Sequence, residues 1–105
     1  MERYAWRAVV HDGKIEEYKK RHDEIWDELV EVLRRAGIRN YTIWLQGNDL
    51  FGYYECEFGA EYAARVQAES PIVDKWNEYM KDVMTMVFDE KTGAQKPLEQ
   101  VFLLE

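Results

Sequence analysis

One cysteine, Cys56, is all that the 105-residue sequence contains, so no disulfide closes within the chain and no thiol pair exists to ligate a metal. A lone thiol fits a reducing compartment, and a cytoplasmic location is expected. Proline occurs only twice, which leaves most element boundaries to glycine and turn residues. No apolar run approaches the roughly 18 residues of a membrane-spanning helix. Glu2, Arg3 and Arg7 interrupt the stretch Met1 to Val10, where a secretory signal would keep an apolar core. Basic residues are in deficit: 14 Lys and Arg face 21 Asp and Glu, giving a net charge of −7. Nucleic acid and membrane surfaces, which attract basic stripes, are therefore excluded as expected partners.

What is present is enough for a core. Hydrophobic residues make up 47% beside 33% charged ones, a balance unlike that of disordered chains. The length suits one domain over residues 1–105. Aromatic residues reach 14%, with four Trp and seven Tyr. Such flat amphipathic rings serve a core and a sugar-sized ligand equally well.

Tyr4 to Val10 alternates with period two, placing Tyr4, Trp6, Ala8 and Val10 on one face of a strand. His11-Asp12-Gly13 is turn chemistry. Ile15, Tyr18, His22, Ile25, Trp26, Leu29, Val32, Leu33 and Ala36 then step by threes and fours, which predicts one long helix ending at Gly37. Tyr41 to Leu45 and Leu50 to Phe58 read as strands joined by a Gln46-Gly47-Asn48-Asp49 hairpin turn. Glu61 to Ala68 is a short helix, and Ser70-Pro71 opens another that carries Trp76, Met80, Val83, Met84 and Val87 inward. Asp89 to Lys96 reads as a polar loop and Leu98 to Leu104 as a fourth, closing strand.

This order is that of a ferredoxin-like split β-α-β α+β domain, with an antiparallel sheet and helices on one face. Several strands are apolar on both faces, as at Trp6 with Val9 and Ile43 with Trp44. Helices cover only one side, so a second copy packed sheet to sheet is the expected cover, and a homodimer the expected assembly.

His22 stands out because Tyr18, His22 and Trp26 lie four residues apart on the apolar stripe. Two readings stand: a core histidine hydrogen-bonded to Tyr18 or to backbone, and a general acid/base whose imidazole titrates near neutrality. Lys20, Arg21, Asp23 and Glu24 fall on the other face and read as solvated charge. Trp76 and Tyr41 each suit a core or a cleft. His11 and His22 lack the spacing of a metal pair, and no phosphate cradle or serine nucleophile elbow occurs. Cys56 reads as buried and inert.

The segment Glu17-Tyr18-Lys19-Lys20-Arg21-His22-Asp23-Glu24-Ile25-Trp26 resembles the E-Y-x-x-R-H-x-x-I-W signature of the L-rhamnose mutarotases. The resemblance continues through Gly37 to Tyr41 (G-I-R-N-Y), Lys75 to Met80 and Glu99 to Leu103, nearly end to end. It implies a homodimeric α+β barrel without metal or organic cofactor that interconverts the α and β anomers of L-rhamnose. It further implies His22 as proton donor, with Tyr18, Tyr41 and Trp76 lining the sugar pocket. The sequence departs from the family at Asn77, where several members carry a second tryptophan. There an amide takes the substrate-binding position of a stacking ring.

The residue types suit that chemistry. A base takes the anomeric hydroxyl proton while an acid protonates the ring oxygen, the aldehyde carbon turns its face, and the steps reverse. The alternatives are a mutarotase for another 6-deoxy sugar such as L-fucose, a cofactor-independent oxygenase or haem-binding protein of the same architecture, and a non-catalytic binding module.

Overall fold

The computed structural model describes residues 1–87 and 97–105. Strand β1 spans Glu2–Val10 and is followed by helices α1 (Ile15–Asp23) and α2 (Asp27–Arg35). Strands β2 (Ile38–Gln46) and β3 (Asp49–Cys56) form a hairpin, and helices α3 (Ala60–Ala68) and α4 (Pro71–Met80) lead to the short strand β4 (Met84–Met86). The sheet is antiparallel with order β2-β3-β1-β4, the arrangement of a split β-α-β fold.

Alternation in β1 sorts its side chains as expected. Trp6, Ala8 and Val10 are buried, whereas Arg7 and Val9 face outward. Opposite them on β3, Leu50, Tyr54 and Cys56 complete the inner face, which packs on Ala36, Ala63 and Met80. The Ser70 hydroxyl accepts from the Val73 backbone N–H and Pro71 fills the first turn, so α4 starts where the sequence places it. Gly37 ends α2 at φ +82°, a left-handed conformation that suits glycine.

Two features differ from the sequence expectation. The long helix is broken: α1 stops at Asp23, and extended Trp26 (ψ 133°) precedes α2. Charge favours the break, because Lys20 and Arg21 in the last turn of α1 complement its C-terminal dipole while Asp27 and Glu28 complement a new N-terminus. The fourth strand is Met84–Met86, and residues Leu98 to Leu104 form none. Met84–Met86 lies just beyond α4 and pairs with Ala8–Val10, and the Val87 N–H then reaches the Arg7 carbonyl. The chain meets the same edge again where the Leu98 N–H donates to the Ala5 carbonyl at 2.7 Å. Val83, Met84 and Val87 thus belong to the turn and strand after α4, not to a longer helix. The loop expected at Asp89 to Lys96 lies outside the described residues. Among those residues no helix is long and apolar enough to cross a membrane.

Candidate active site

Helix α1 carries the first two site residues. Tyr18 is buried, and His22 sits one turn later with its ring 4.3 Å from the Tyr18 ring, centroid to centroid. His22 Nδ1 lies 3.2 Å from the Tyr18 carbonyl oxygen. A carbonyl only accepts, so Nδ1 carries the proton and neutral His22 keeps its lone pair on Nε2. Burial lowers the His22 pKa below its ordinary value; the bond to Tyr18 and the charge of Asp23 oppose this in smaller measure. The neutral imidazole is therefore the resting form.

The Tyr18 hydroxyl is buried without a hydrogen-bond partner among the described residues. Burial also drives its pKa well above the ordinary phenol value, so the hydroxyl stays protonated and is a hydrogen-bond donor. A buried donor without an acceptor is costly in a folded protein. Tyr18 and His22 line a cleft of about 350 Å³ with Ile43, Leu45 and Leu50 of the sheet, a volume in the range of small-ligand sites.

Helix α4 supplies Trp76, whose ring meets His22 edge-on at 5.5 Å. Trp26 does not stack on His22 as part of one helix. From the break between α1 and α2 its ring packs on Trp76 at 5.1 Å and on Tyr79 at 5.4 Å. Asn77 is exposed on α4, one position beyond Trp76. Of the expected sugar-binding residues only Tyr18 lines the cleft directly, while Trp76 and Tyr41 stand behind it and Asn77 is not brought to it.

Tyr41 lies inside β2, within the bulge between Arg39 and Thr42. The bulge has a structural role here. Ile38 and Ile43 both turn to the helix-covered face although five residues apart, which strict alternation forbids, and the extra residue absorbs the mismatch. Asn40 takes the left-handed conformation at φ +51° and its amide donates to Glu55 at 2.6 Å. Tyr41 then shares the inner face two residues before Ile43. Its ring packs on Tyr54 at 4.9 Å, and its hydroxyl accepts from the Trp6 indole at 3.0 Å. Burial raises its pKa, with the electrostatic influence of Tyr18 and Tyr4 in the same direction.

Arg21 departs from the expectation of solvated charge. Its side chain is only 12% exposed and bonds Glu17 at 2.7 Å, Asp82 at 2.8 Å and the Tyr79 carbonyl at 2.7 Å. Its guanidinium also lies 4.3 Å from the Tyr79 ring centroid. This network ties α1 to the end of α4, holding His22 and Trp76 on facing helices. Trp6 is a second residue that helix and strand patterns place only in the core. A buried indole N–H needs an acceptor, and that of Trp6 finds one in the Tyr41 hydroxyl. Among the described residues no group of three or more His, Cys, Asp and Glu gathers as a metal site.

The comparisons point one way. The family model described as L-rhamnose mutarotase matches residues 3–104. An L-rhamnose mutarotase of Burkholderia ambifaria is 42% identical, with 99% of each chain covered. The crystal structure of an L-rhamnose mutarotase from Formosa agariphila matches with a TM-score of 0.79 at 31% identity, covering both chains fully. Tetracenomycin F2 cyclase from Streptomyces glaucescens, at 14% identity and a TM-score of 0.70 over 100% of this chain and 98% of its own, shares the fold alone. Matched nearly end to end by the family model and by such relatives, this chain belongs to the L-rhamnose mutarotase family.

Proposed function

We propose that the protein is an isomerase that interconverts the α and β anomers of L-rhamnose by general acid/base opening and closure of the ring. The observation that carries this reading is the Tyr18 hydroxyl, buried and without a partner among the described residues, beside a neutral His22 on a cleft of monosaccharide size. A sugar oxygen in the cleft would satisfy that hydroxyl. The L-rhamnose mutarotases of Burkholderia ambifaria and Formosa agariphila, 42% and 31% identical, support L-rhamnose over L-fucose and over the oxygenase and haem-binding readings.

In the proposed mechanism, the Nε2 lone pair of His22 takes the proton of the anomeric hydroxyl. Tyr18 donates toward the ring oxygen as the bond from that oxygen to the anomeric carbon breaks. The open aldehyde turns about its bond to the next carbon, and closure returns the protons. Because the reaction runs both ways, the histidine that accepts a proton on opening donates it on closing, which agrees with the proton-donor role that the resemblance implies. Positioned groups of this kind contribute about 10²–10⁴-fold. Trp76 presents an apolar ring to the sugar's C–H groups and 6-methyl, and Tyr41 binds a sugar hydroxyl. Asn77, exposed on α4, has the least support as a binding residue.

We place this enzyme in the cytoplasm as a homodimer. Cys56, a buried free thiol, fits a reducing compartment. The sheet face away from the helices carries Val9, Phe51 and Trp44, the last 67% exposed. Exposed Trp44 and Val9, set among Arg3, Arg7, Asp49 and Glu55 on that face, favour a partner, and a two-fold copy is the commonest one.

Saturation-transfer NMR between the two anomeric proton signals of L-rhamnose tests the activity directly. Catalytic amounts of protein should speed exchange for L-rhamnose more than for L-fucose. Exchange no faster than in buffer would refute the reading.

A further inference from the structure

We propose that Trp6, seated over Gly52, is a positioning residue that orients the Tyr41 hydroxyl as a hydrogen-bond donor toward the sugar. The inference rests on the functional reading above and deepens it by assigning a residue that does not reach the substrate itself.

The geometry begins at Gly52. Trp6 and Gly52 are directly paired across β1 and β3, on the face covered by helices. A Cβ built on Gly52 would fall within the Trp6 indole, against its Nε1, Cε2 and Cζ2 atoms. Any side chain there expels the indole. The missing side chain lets Trp6 lie across β3 and reach β2, two strands away in the sheet order β2-β3-β1. There its N–H donates to the Tyr41 hydroxyl at 3.0 Å.

The direction of that bond matters. An indole N–H has no acceptor capacity, whereas a phenol can donate or accept. Tyr41 must therefore act as acceptor toward Trp6, and its own proton is left for another partner. Trp6 is only 5% exposed, so water does not compete freely for its N–H. A free phenol would rotate its proton among several directions, and this one has its acceptor side occupied. A sugar hydroxyl or ring oxygen meets a donor already oriented, and the bonded pair strengthens that donor cooperatively.

The test is a double-mutant cycle on L-rhamnose binding, measured by calorimetry with melting temperatures alongside. Trp6→Phe and Tyr41→Phe should each weaken binding about threefold to tenfold, the range of one neutral hydrogen bond. In the double variant Trp6→Phe should add little to the loss from Tyr41→Phe, because it acts through the hydroxyl already removed. In ¹H–¹⁵N spectra, the Trp6 indole signal, assigned through its proximity to Gly52, should shift on adding L-rhamnose. It should not shift in Tyr41→Phe at matched sugar occupancy. That readout needs no substitution at Trp6 and decides the matter should Trp6→Phe fail to fold. Additive losses, or an indole shift that persists without the Tyr41 hydroxyl, would overturn the proposal. Wild-type binding with an unaffected Trp6→Phe would overturn it while leaving the functional reading intact. Wild-type protein that neither binds L-rhamnose nor speeds its exchange would retire both.

Discussion

His22 Nδ1 donates to the backbone carbonyl of Tyr18, 3.2 Å away and one turn earlier on α1. This one bond selects the tautomer, leaves Nε2 free for a proton, and makes the helix itself the holder of the proposed base. The bond uses the backbone of Tyr18, so the Tyr18 hydroxyl stays available. Two groups of opposite proton polarity thus stand side by side on one turn.

His22→Ala should keep the fold and slow anomer exchange by about 10²–10⁴-fold per folded molecule. The partly buried ring makes stability the control to run, by thermal melt. Lost stability with normal exchange per folded molecule would make His22 a packing residue and end the mechanism.

The pH profile follows from the direction of the His22 shift. Burial lowers its pKa, so the neutral base persists below the ordinary value of about 6.5. Enzyme-catalysed exchange, corrected for the buffer rate, should hold steady down through pH 6.5 and fall only below it. Stability runs in the same sense. The unfolded chain takes up the proton first, so the contribution of His22 is full above about 6.5 and declines as pH drops through the lower folded value. An acid limb centred above 6.5 would assign the titration to another group.

Tyr18→Phe removes a buried hydroxyl that has no partner among the described residues. The melting temperature of the sugar-free protein should stay level or rise, because an unsatisfied buried polar group costs about 1–3 kcal/mol. L-rhamnose affinity and exchange should nevertheless fall, by about tenfold or more. A clear loss of sugar-free stability would mean that the hydroxyl has a structural partner and would weaken its assignment to the sugar.

Trp76→Ala is read by pairing ligand titration with thermal melting. The ring touches His22, Trp26 and Tyr79, so some stability is lost with it. Sugar affinity per folded molecule should fall as well. Affinity that is unchanged while the melt collapses would place Trp76 in the core alone.

Trp44→Glu puts a charge on the helix-free sheet face. The wild type should run at dimer mass in light scattering at micromolar concentration, and the variant at half that mass. A wild type already at monomer mass would rule out the dimer.

Much of this molecule was legible in local pattern. Alternation along Tyr4 to Val10 gave a strand with the correct inward face, Ser70-Pro71 gave the start of α4, and four-residue spacing set Tyr18 and His22 on one side of a helix. These follow from the periods of strand and helix and from capping, which act over a few residues. The motifs around His22 and Tyr41 added the family, because matching residues at matching spacing point to shared ancestry even where local physics is ambiguous.

Tertiary structure decided the rest. Alternation at Leu98 to Leu104 shows that a segment is able to pair, but the edge of β1 along Ala8–Val10 is taken by Met84–Met86, which arrives first after α4. Apolar spacing from Ile15 to Ala36 is equally compatible with one helix or two, and packing of Trp26 on Trp76 and Tyr79 accompanies the break. Arg21 resembles any surface cation until α1 is laid beside the end of α4, 58 to 61 residues away in sequence. The bond from Trp6 to Tyr41 spans 35 residues and passes over a glycine on a third strand. No local period encodes such meetings. They exist only once the chain has closed its sheet, when non-local neighbours determine which hydrogen bonds a buried indole or guanidinium can make.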